Sequence, residues 1–205
     1  MKQLLLALVT GLVSGLVLTA RPALAEPHTI FLMDVSGSME FPVAGAKRID
    51  LAKSALLGTL ATGRYPGAEL IMWNTGKQRE DYGDGAKLAG EVMAAPQGDS
   101  GSYLGSAFLS IRDAGYRCSH VVFVTDEYPD DAHAFRQAII ALTGPHGLNA
   151  VTVYVVNHAE SYYYADRFAA VSDSQRYRVI DGNRHGSLAD YLQANPVTDT
   201  CGTLS

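Results

Sequence analysis

The sequence predicts an α/β fold, with a doubly wound, mostly parallel central sheet that carries helices on both faces. The strand candidates are continuous apolar runs, which suit parallel strands buried on both faces, and segments with helical periodicity lie between them. We expect about six strands, one of them a short antiparallel edge strand, and about six helices. The 205 residues are 47% hydrophobic and 18% charged, which is typical of a globular protein and excludes a collagen-like or largely disordered chain.

Five segments are predicted to be buried strands because each is a short apolar run bounded by polar or glycine-containing segments. A more polar segment at residues 79–82 is predicted to form the edge strand. The buried strands are expected at residues 29–35, 68–73, 120–125, 150–156 and, more weakly, 177–180.

Helical segments alternate with these strands. Residues 47–62 show the pattern clearly, since Ile49, Ala52, Leu56 and Leu60 recur at spacings of three and four. Glycines follow several of the segments, at positions where helices commonly end. The other helices are expected at residues 86–94, 104–114, 131–142, 161–172 and 187–194.

Residues 1–25 have the pattern of a signal peptide. Lys2 supplies a positive charge, residues 4–18 form an uncharged apolar stretch, and the small-residue pattern Ala-Leu-Ala ends at Ala25. We predict cleavage after Ala25, which leaves a single exported domain of residues 26–205, periplasmic or secreted and without a membrane span. The alternative is a retained membrane anchor, although the apolar stretch is short for a spanning helix.

The chain contains two cysteines, Cys118 and Cys201. In an exported protein an isolated pair favours one disulfide, and this spacing matches no zinc motif. In the predicted winding, the helix before Cys118 and the last helix descend to the same edge of the sheet, so a bridge would pin the C-terminal tail there. Two free thiols are the alternative.

Several classes of function are excluded by what the sequence lacks. With 16 Lys and Arg against 21 Asp and Glu there is no basic excess, so we expect no nucleic-acid binding. Residues 98–101 (Gly-Asp-Ser-Gly) resemble the nucleophile loop of trypsin-like proteases, but no histidine lies in a matching context. A nucleophile elbow, a Walker loop and a dinucleotide fingerprint are absent from the sequence. We therefore expect a protein that is not an enzyme.

The strongest chemical signal follows the first predicted strand, where the sequence reads Asp34-x-Ser36-x-Ser38. One carboxylate and two hydroxyls on a tight turn suit a hard divalent cation, Mg2+, Mn2+ or Ca2+. Further oxygen ligands must come from other strand ends, where Ser102 and Asp126 are the candidates. Helix capping is the alternative role for each of these residues, because Ser and Asp both cap helices.

Together these segments resemble the metal-ion-dependent adhesion site of the von Willebrand factor A domain family. The matching stretches are Asp34-Val-Ser-Gly-Ser, Ser102-Tyr-Leu-Gly and Val-Phe-Val-Thr-Asp126, and the resemblance spans essentially the whole mature chain. It implies a cation, Mg2+ before Mn2+ or Ca2+, held by Asp34, Ser36, Ser38, Ser102 and Asp126. It also implies that a partner protein supplies an Asp or Glu to the cation, so that binding depends on the metal.

Two departures from the family pattern bear on the site. Ser102 stands where the family usually has Thr, and it lacks the methyl group that restrains χ1. Glu127 stands where the family often has Gly, and it either reaches the cation or faces solvent. Two alternatives follow: a scaffold whose structural metal site is closed by Glu127, and a metal-assisted hydrolase with His158 or Glu127 as its general base.

The loops around the predicted site supply candidate rim or partner contacts. Tyrosine is favoured in interfaces because its ring is rigid and its hydroxyl is polar. Acidic residues in the same loops should raise cation affinity and slow an acidic partner. The candidate contacts are Tyr103, Glu127, Tyr128 and His158, and the other acidic rim residues are Glu40, Asp99, Asp130 and Asp131.

Overall fold

The computed structural model describes residues 28–96 and 100–198, so the predicted signal peptide and Cys201 lie outside the described residues. Within those ranges, strands and helices alternate along most of the chain. The strands are β1 (Thr29–Asp34), β2 (Pro42–Val43), β3 (Ala46–Lys47), β4 (Ala68–Trp73), β5 (Lys77–Gly83), β6 (His120–Thr125), β7 (Ala150–Val155) and β8 (Tyr177–Asp181). The helices are α1 (Arg48–Leu60), α2 (Gly85–Met93), α3 (Leu104–Asp113), α4 (Ala132–Leu142), α5 (Ser161–Ala169), α6 (Gly182–His185) and α7 (Leu188–Ala194), and a 3-10 turn covers Gly37–Glu40.

One sheet contains most of the strands, in the order β5-β4-β1-β6-β7-β8. Its neighbouring pairs are parallel except β4 and β5, so β5 is the antiparallel edge strand and the predicted fold class is confirmed. From β1 the chain passes to β4 on one side, and it later returns to β6 on the other side. The strand order therefore reverses between β1 and β6, and ligands of such sheets bind at the carboxyl ends of the strands at this point.

The buried strands divide their side chains between two hydrophobic cores, one on each face of the sheet. In β1, Ile30 and Leu32 face the core covered by α3, α4 and α5. Phe31 and Met33 face the core covered by α1, α2 and α7. Because both faces are covered, neither face needs polar residues, and this explains the continuous apolar runs in the sequence.

Several element boundaries differ from their predictions, by at most three residues. The edge strand, predicted at residues 79–82, spans Lys77–Gly83 and pairs along the whole of β4. Its residues are mostly charged and exposed, so the apolar pattern that marks the other strands is missing. The helix predicted for residues 161–172 ends at Ala169. None of the helices in the described ranges combines the length and the apolar character needed to cross a membrane.

The hairpin formed by β2 and β3 was not predicted. Each of its strands has two residues, which is too short to show a period in the sequence. Ala44 and Gly45 form its turn with positive φ angles of 48° and 90°, as a tight hairpin turn requires. The hairpin leads directly into α1 and so determines where Arg48, the first residue of that helix, lies.

The predicted disulfide stays a prediction, because Cys201 lies outside the described residues. Cys118 lies between α3 and β6, at the amino end of β6. The chain after α7 reaches this edge of the sheet, where residues 195–197 line a small cavity together with His120. Residues 195–197 and Cys118 therefore both lie near the edge opposite the strand carboxyl ends.

Candidate metal centre

The two acidic residues of the candidate site flank the point where the strand order reverses. Asp34 is the last residue of β1, and Asp126 directly follows β6. β1 and β6 are parallel neighbours, paired as far as Met33 and Val124. Both carboxylates are fully buried. Two buried acids on adjacent strand ends need hydrogen-bond donors or a cation to compensate their lost hydration.

Hydroxyl and amide groups surround the Asp34 carboxylate. Its Oδ1 accepts a hydrogen bond from the backbone N–H of Ser36 at 2.8 Å. Its Oδ2 accepts hydrogen bonds from the Thr125 hydroxyl at 2.7 Å and from the Ser102 hydroxyl at 3.3 Å. Three chain segments distant in sequence therefore meet at this one carboxylate.

The same network extends to Asp126. The hydroxyls of Ser36 and Ser38 lie 3.1 Å apart, and Ser38 donates to Asp126 Oδ1 at 3.0 Å. The other oxygen, Oδ2, accepts a hydrogen bond from Arg48 Nη1 at 2.7 Å. The structure thus places all five predicted ligands (Asp34, Ser36, Ser38, Ser102 and Asp126) in one connected set of polar contacts.

Backbone hydrogen bonds hold the loop that carries Ser102 against the first loop. The N–H of Gly37 donates to the carbonyl of Ser100 at 2.7 Å, and the N–H of Ser102 donates to Asp130 Oδ2 at 2.9 Å. In return, the Asp130 N–H donates to the Ser102 carbonyl at 2.8 Å. The backbone of Ser102 is therefore positioned by two neighbouring loops.

The electrostatics of the pair favour the uptake of positive charge. Burial and the neighbouring Asp126 raise the pKa of Asp34 to about 7, although hydrogen bonds from Thr125 and Ser36 act in the opposite direction. The two causes that dominate are both penalties on a buried negative charge. A cation bound between the carboxylates would remove these penalties, because an opposite charge stabilises the ionised form.

The donor set fits a hard divalent cation. It consists of two carboxylates and three hydroxyls, all oxygen donors of the kind that Mg2+ and Mn2+ prefer. Across residues 28–96 and 100–198, no group of three or more His, Cys, Asp and Glu side chains is arranged to hold a metal. The candidate set is not a group of that kind, because only two of its five side chains are carboxylates.

Sequence reasoning missed two residues of this network, Arg48 and Thr125. Thr125 lies in one of the stretches that resemble the family and precedes a predicted ligand, but the sequence assigns its hydroxyl no role. Arg48 could have been noticed in the sequence, because a positive charge near a helix N-terminus is repelled by the helix dipole and needs an acidic partner elsewhere. That partner is Asp126, which is 78 positions away in sequence.

The four candidate rim residues lie at different depths. Tyr103 is exposed, and Glu127 is half-buried beside the site. Tyr128 is also half-buried, with its ring against Phe168 at a centroid distance of 4.9 Å. Burial and the charge of Asp126 raise the pKa of Glu127, while the nearby Ser38 hydroxyl lowers it.

His158 is buried beneath the rim, with 2% of its surface exposed. Its Nε2 donates to the Asp126 carbonyl at 2.7 Å, and its Nδ1 accepts from the Glu160 N–H at 3.3 Å. Both ring nitrogens are engaged, and burial lowers the pKa of the ring. This arrangement fits a neutral histidine that holds the end of β6 better than one that contacts a partner or acts as a base.

Most acidic rim residues within the described ranges are engaged in internal contacts. Glu40 forms an ion pair with Lys47, at 2.5 Å. Asp130 accepts from the Ser102 backbone, and Asp131 accepts from the N–H groups of Gly105 and Ser106 at 2.7 and 2.8 Å. These contacts offset much of the negative charge that an approaching anion would meet. Asp99 lies outside the described residues.

Comparisons with known proteins support the fold. No protein-family model matches the chain, and no curated protein matches it. Among solved structures, it resembles the manganese-loaded TRAP protein of Plasmodium vivax, with 16% identity, 78% of this chain and 70% of that chain covered, and a TM-score of 0.55. It also resembles the proximal thread matrix protein 1 of the mussel byssus, with 14% identity, 83% and 44% coverage, and a TM-score of 0.54.

A third neighbour is the vWF domain of the pilus tip protein Mfa5 from Porphyromonas gingivalis. It is 18% identical over 52% of this chain and 40% of that chain, with a TM-score of 0.41. The chain thus spans less than half the length of the mussel and pilus proteins. At 16% and 14% identity, the likeness to the TRAP and mussel proteins concerns the fold alone, and it agrees with the sheet order and the helices on both faces. The chain has the fold of a von Willebrand factor A domain.

Proposed function

We propose that this chain binds a divalent cation through Asp34, Ser36, Ser38, Ser102 and Asp126 and, through that cation, an acidic side chain of a partner protein. One observation carries the proposal. Two fully buried carboxylates on adjacent strand ends share a network with three serine hydroxyls, at the point where the strand order reverses. Mg2+ is the first candidate and Mn2+ the second, since both prefer oxygen ligands.

The charges and ligand types of the site argue for an anionic partner. Two carboxylates balance a divalent cation, and the remaining protein ligands are neutral hydroxyls. A hard cation takes about six ligands, so at least one position is left for an oxygen from outside the chain. A carboxylate is the strongest donor of this type that a protein partner carries. Binding of the partner would then depend on both the metal and one acidic residue.

Isothermal titration with Mg2+ and Mn2+ tests the metal step. We expect the wild-type chain to bind with a stoichiometry of one, and Asp34→Ala to lose binding. Asp113→Ala is the matched control because it removes the same charge from an exposed position at the end of α3. Equal metal binding by wild type and Asp34→Ala would contradict the proposal.

A pull-down from the envelope of the source cells tests the partner step. The immobilised chain is exposed to extract with Mg2+, with EDTA, and with Asp34→Ala in place of the wild type. We expect the same prey to be lost in the second and third conditions and kept by Asp113→Ala. Identical prey in every condition would contradict metal-dependent binding.

The position of Glu127 favours a second candidate, a structural metal site that the chain itself closes. Glu127 directly follows Asp126 and lies half-buried near Ser38. If its carboxylate occupies the last ligand position, Glu127→Gly should bind metal more weakly than wild type, and an acidic peptide should tighten metal binding only in the variant. With an open site, the peptide tightens metal binding in the wild type as well.

Export is a further part of the proposal. It rests on the signal-peptide pattern of residues 1–25, which lie outside the described residues. N-terminal sequencing of the protein from the extracytoplasmic fraction tests it, with Glu26 expected as the first residue. An intact N-terminus in the membrane fraction would instead indicate a retained anchor.

A further inference from the structure

Arg48 occupies a position at the candidate metal centre that its own helix does not favour. It is the first residue of α1, where the helix dipole repels a positive charge. Its side chain is only 14% exposed, and Nη1 donates to Asp126 Oδ2 at 2.7 Å. The guanidinium is therefore held against one of the two carboxylates of the centre.

The Arg48 guanidinium has donors left over. A guanidinium offers five N–H donors, and among the described residues this one makes a single side-chain hydrogen bond. Its Nε is buried and has no hydrogen-bond partner among the described residues. A buried, unpartnered donor of a charged group is costly, so the arrangement is incomplete without a further acceptor.

Neighbouring contacts hold the guanidinium at the rim. The backbone N–H of Arg48 donates to the backbone carbonyl of Phe41 at 3.1 Å, across the base of the β2–β3 hairpin. The exposed Phe41 ring lies 5.5 Å from the guanidinium carbon, within the range of a cation–π contact. The charge of Arg48 also acts on Glu127 and His158, which places it among the rim residues.

The charge balance of the loaded centre leaves Arg48 only partly compensated. With a divalent cation present, Asp34 and Asp126 balance the metal, so Arg48 loses Asp126 as its counter-ion, and the half-buried Glu127 nearby offsets its charge in part. A carboxylate has two oxygens, so one can bind a metal while the other accepts from a guanidinium. One incoming anion would then neutralise the centre and satisfy the free donors of Arg48.

We propose that Arg48 is the second anchor for the partner's carboxylate: it pairs with Asp126 while the centre is empty and with the incoming acid once a cation is bound. The inference rests on the proposed function and adds to it a residue that selects the partner. It predicts opposite effects of one substitution. Removing the guanidinium should strengthen metal binding, because Asp126 is released and a like charge is gone. The same change should weaken the binding of the partner's carboxylate, because one of its anchors is lost.

The test uses two probes. Mg2+ is titrated into the metal-free protein, and the peptide acetyl-Ala-Asp-Ala-amide, with its Asn counterpart as a control, is titrated into the protein loaded with Mg2+. For Arg48→Gln we expect Mg2+ affinity to rise about ten-fold and affinity for the Asp peptide to fall about ten-fold or more. Arg112→Gln is the matched control, since it makes the same substitution at the far end of α3, where the side chain pairs with Asp113 instead. Both affinities of this control should stay within about two-fold of the wild type.

Arg48→Lys separates charge from geometry and keeps the test valid if Arg48→Gln folds poorly. It retains the positive charge but not the planar fork, so Mg2+ affinity should stay near the wild-type value while peptide affinity falls. Unchanged peptide affinity in both Arg48 variants, or weaker Mg2+ binding by Arg48→Gln, would overturn the inference. A wild type that binds Mg2+ but not the Asp peptide would overturn it too. A wild type that binds no Mg2+ would instead refute the proposed function.

Discussion

The Thr125 hydroxyl donates a hydrogen bond of 2.7 Å to Asp34 Oδ2, and this contact joins the carboxyl ends of two neighbouring parallel strands. Both side chains are fully buried. Thr125 also accepts a weaker hydrogen bond from the Glu127 N–H, at 3.4 Å. One hydroxyl therefore links the first acidic residue of the candidate centre to the loop that carries the second.

Replacing Thr125 with Val should lower both stability and metal affinity. Valine keeps the shape but leaves Asp34 with one donor fewer, so we expect the free energy of unfolding to fall by about 1–2 kcal/mol. Urea denaturation measures this loss, and titration with Mg2+ measures the metal affinity. Thr59→Val is the control, because Thr59 is equally buried but donates to the Ala55 carbonyl within α1. Metal affinity that falls equally in both variants would contradict a specific role for Thr125.

Substitutions at Ser102 distinguish the contribution of its hydroxyl to metal binding from the effect of its side-chain rotamer. Ser102→Ala removes a predicted ligand and should weaken Mg2+ binding about ten-fold, the effect of losing roughly one charge-assisted contact. Ser102→Thr keeps the hydroxyl and adds a methyl group that restrains χ1, so it should bind Mg2+ at least as tightly as wild type. Titration calorimetry compares the three proteins. Equal affinities of wild type and Ser102→Ala would exclude Ser102 as a ligand.

Substitutions of the adjacent residues Asp130 and Asp131 should affect different properties, metal affinity for the first and stability for the second. Asp131 accepts hydrogen bonds from the first turn of α3, so Asp131→Ala should cost about 1–2 kcal/mol of stability and leave metal affinity nearly unchanged. Asp130 holds the Ser102 backbone, so Asp130→Ala should mainly weaken Mg2+ binding. Thermal unfolding and metal titration of both variants check the contrast. The two variants serve as each other's controls, and identical behaviour would contradict this division of roles.

His120 should make stability decrease below neutral pH. It is buried in β6 with Nε2 2.8 Å from the Thr152 hydroxyl, and burial lowers its pKa from 6.5 to about 3, with a smaller effect of Arg178. Below pH 6.5 the unfolded chain takes up a proton that the folded chain refuses, so the stability present above pH 6.5 is lost as pH falls towards 3. Between pH 7 and pH 5 this amounts to about 2 kcal/mol. Urea denaturation at both pH values should show a smaller change for His120→Gln, and an equal change in both proteins would contradict the assignment.

The predicted bridge between Cys118 and Cys201 should be found in the exported protein. Non-reducing peptide mapping should yield one linked peptide pair, and Cys201→Ser should lower the unfolding temperature because the C-terminal tail is released. Under reducing conditions the unfolding temperature of the wild type should approach that of the variant. Recovery of both cysteines as free thiols from the oxidising compartment would contradict the bridge.

Much of the fold follows from local patterns. The apolar runs of β1, β4, β6 and β7 lie within one residue of their predicted positions, because burial on both faces leaves a signal in every residue of the strand. The β2–β3 hairpin was not predicted, because two-residue strands carry no period and its turn uses Ala44 where Asn or Gly would have been a signal. The edge strand was predicted too short, because its residues are mostly charged and exposed and show no apolar run.

The class of fold and the residue types of the candidate centre could be predicted from the sequence, since strand ends and ligand spacing are local features of the chain. Which groups meet at the centre could be seen only in the folded protein. Arg48 and Asp126 are 78 residues apart, and Thr125 and Asp34 are 91 apart. No local pattern indicates contacts between residues so far apart in sequence, because these contacts result from the strand order and from the hairpin that orients α1. The physical reason is that a buried charge takes whichever donor the completed fold brings within hydrogen-bond distance.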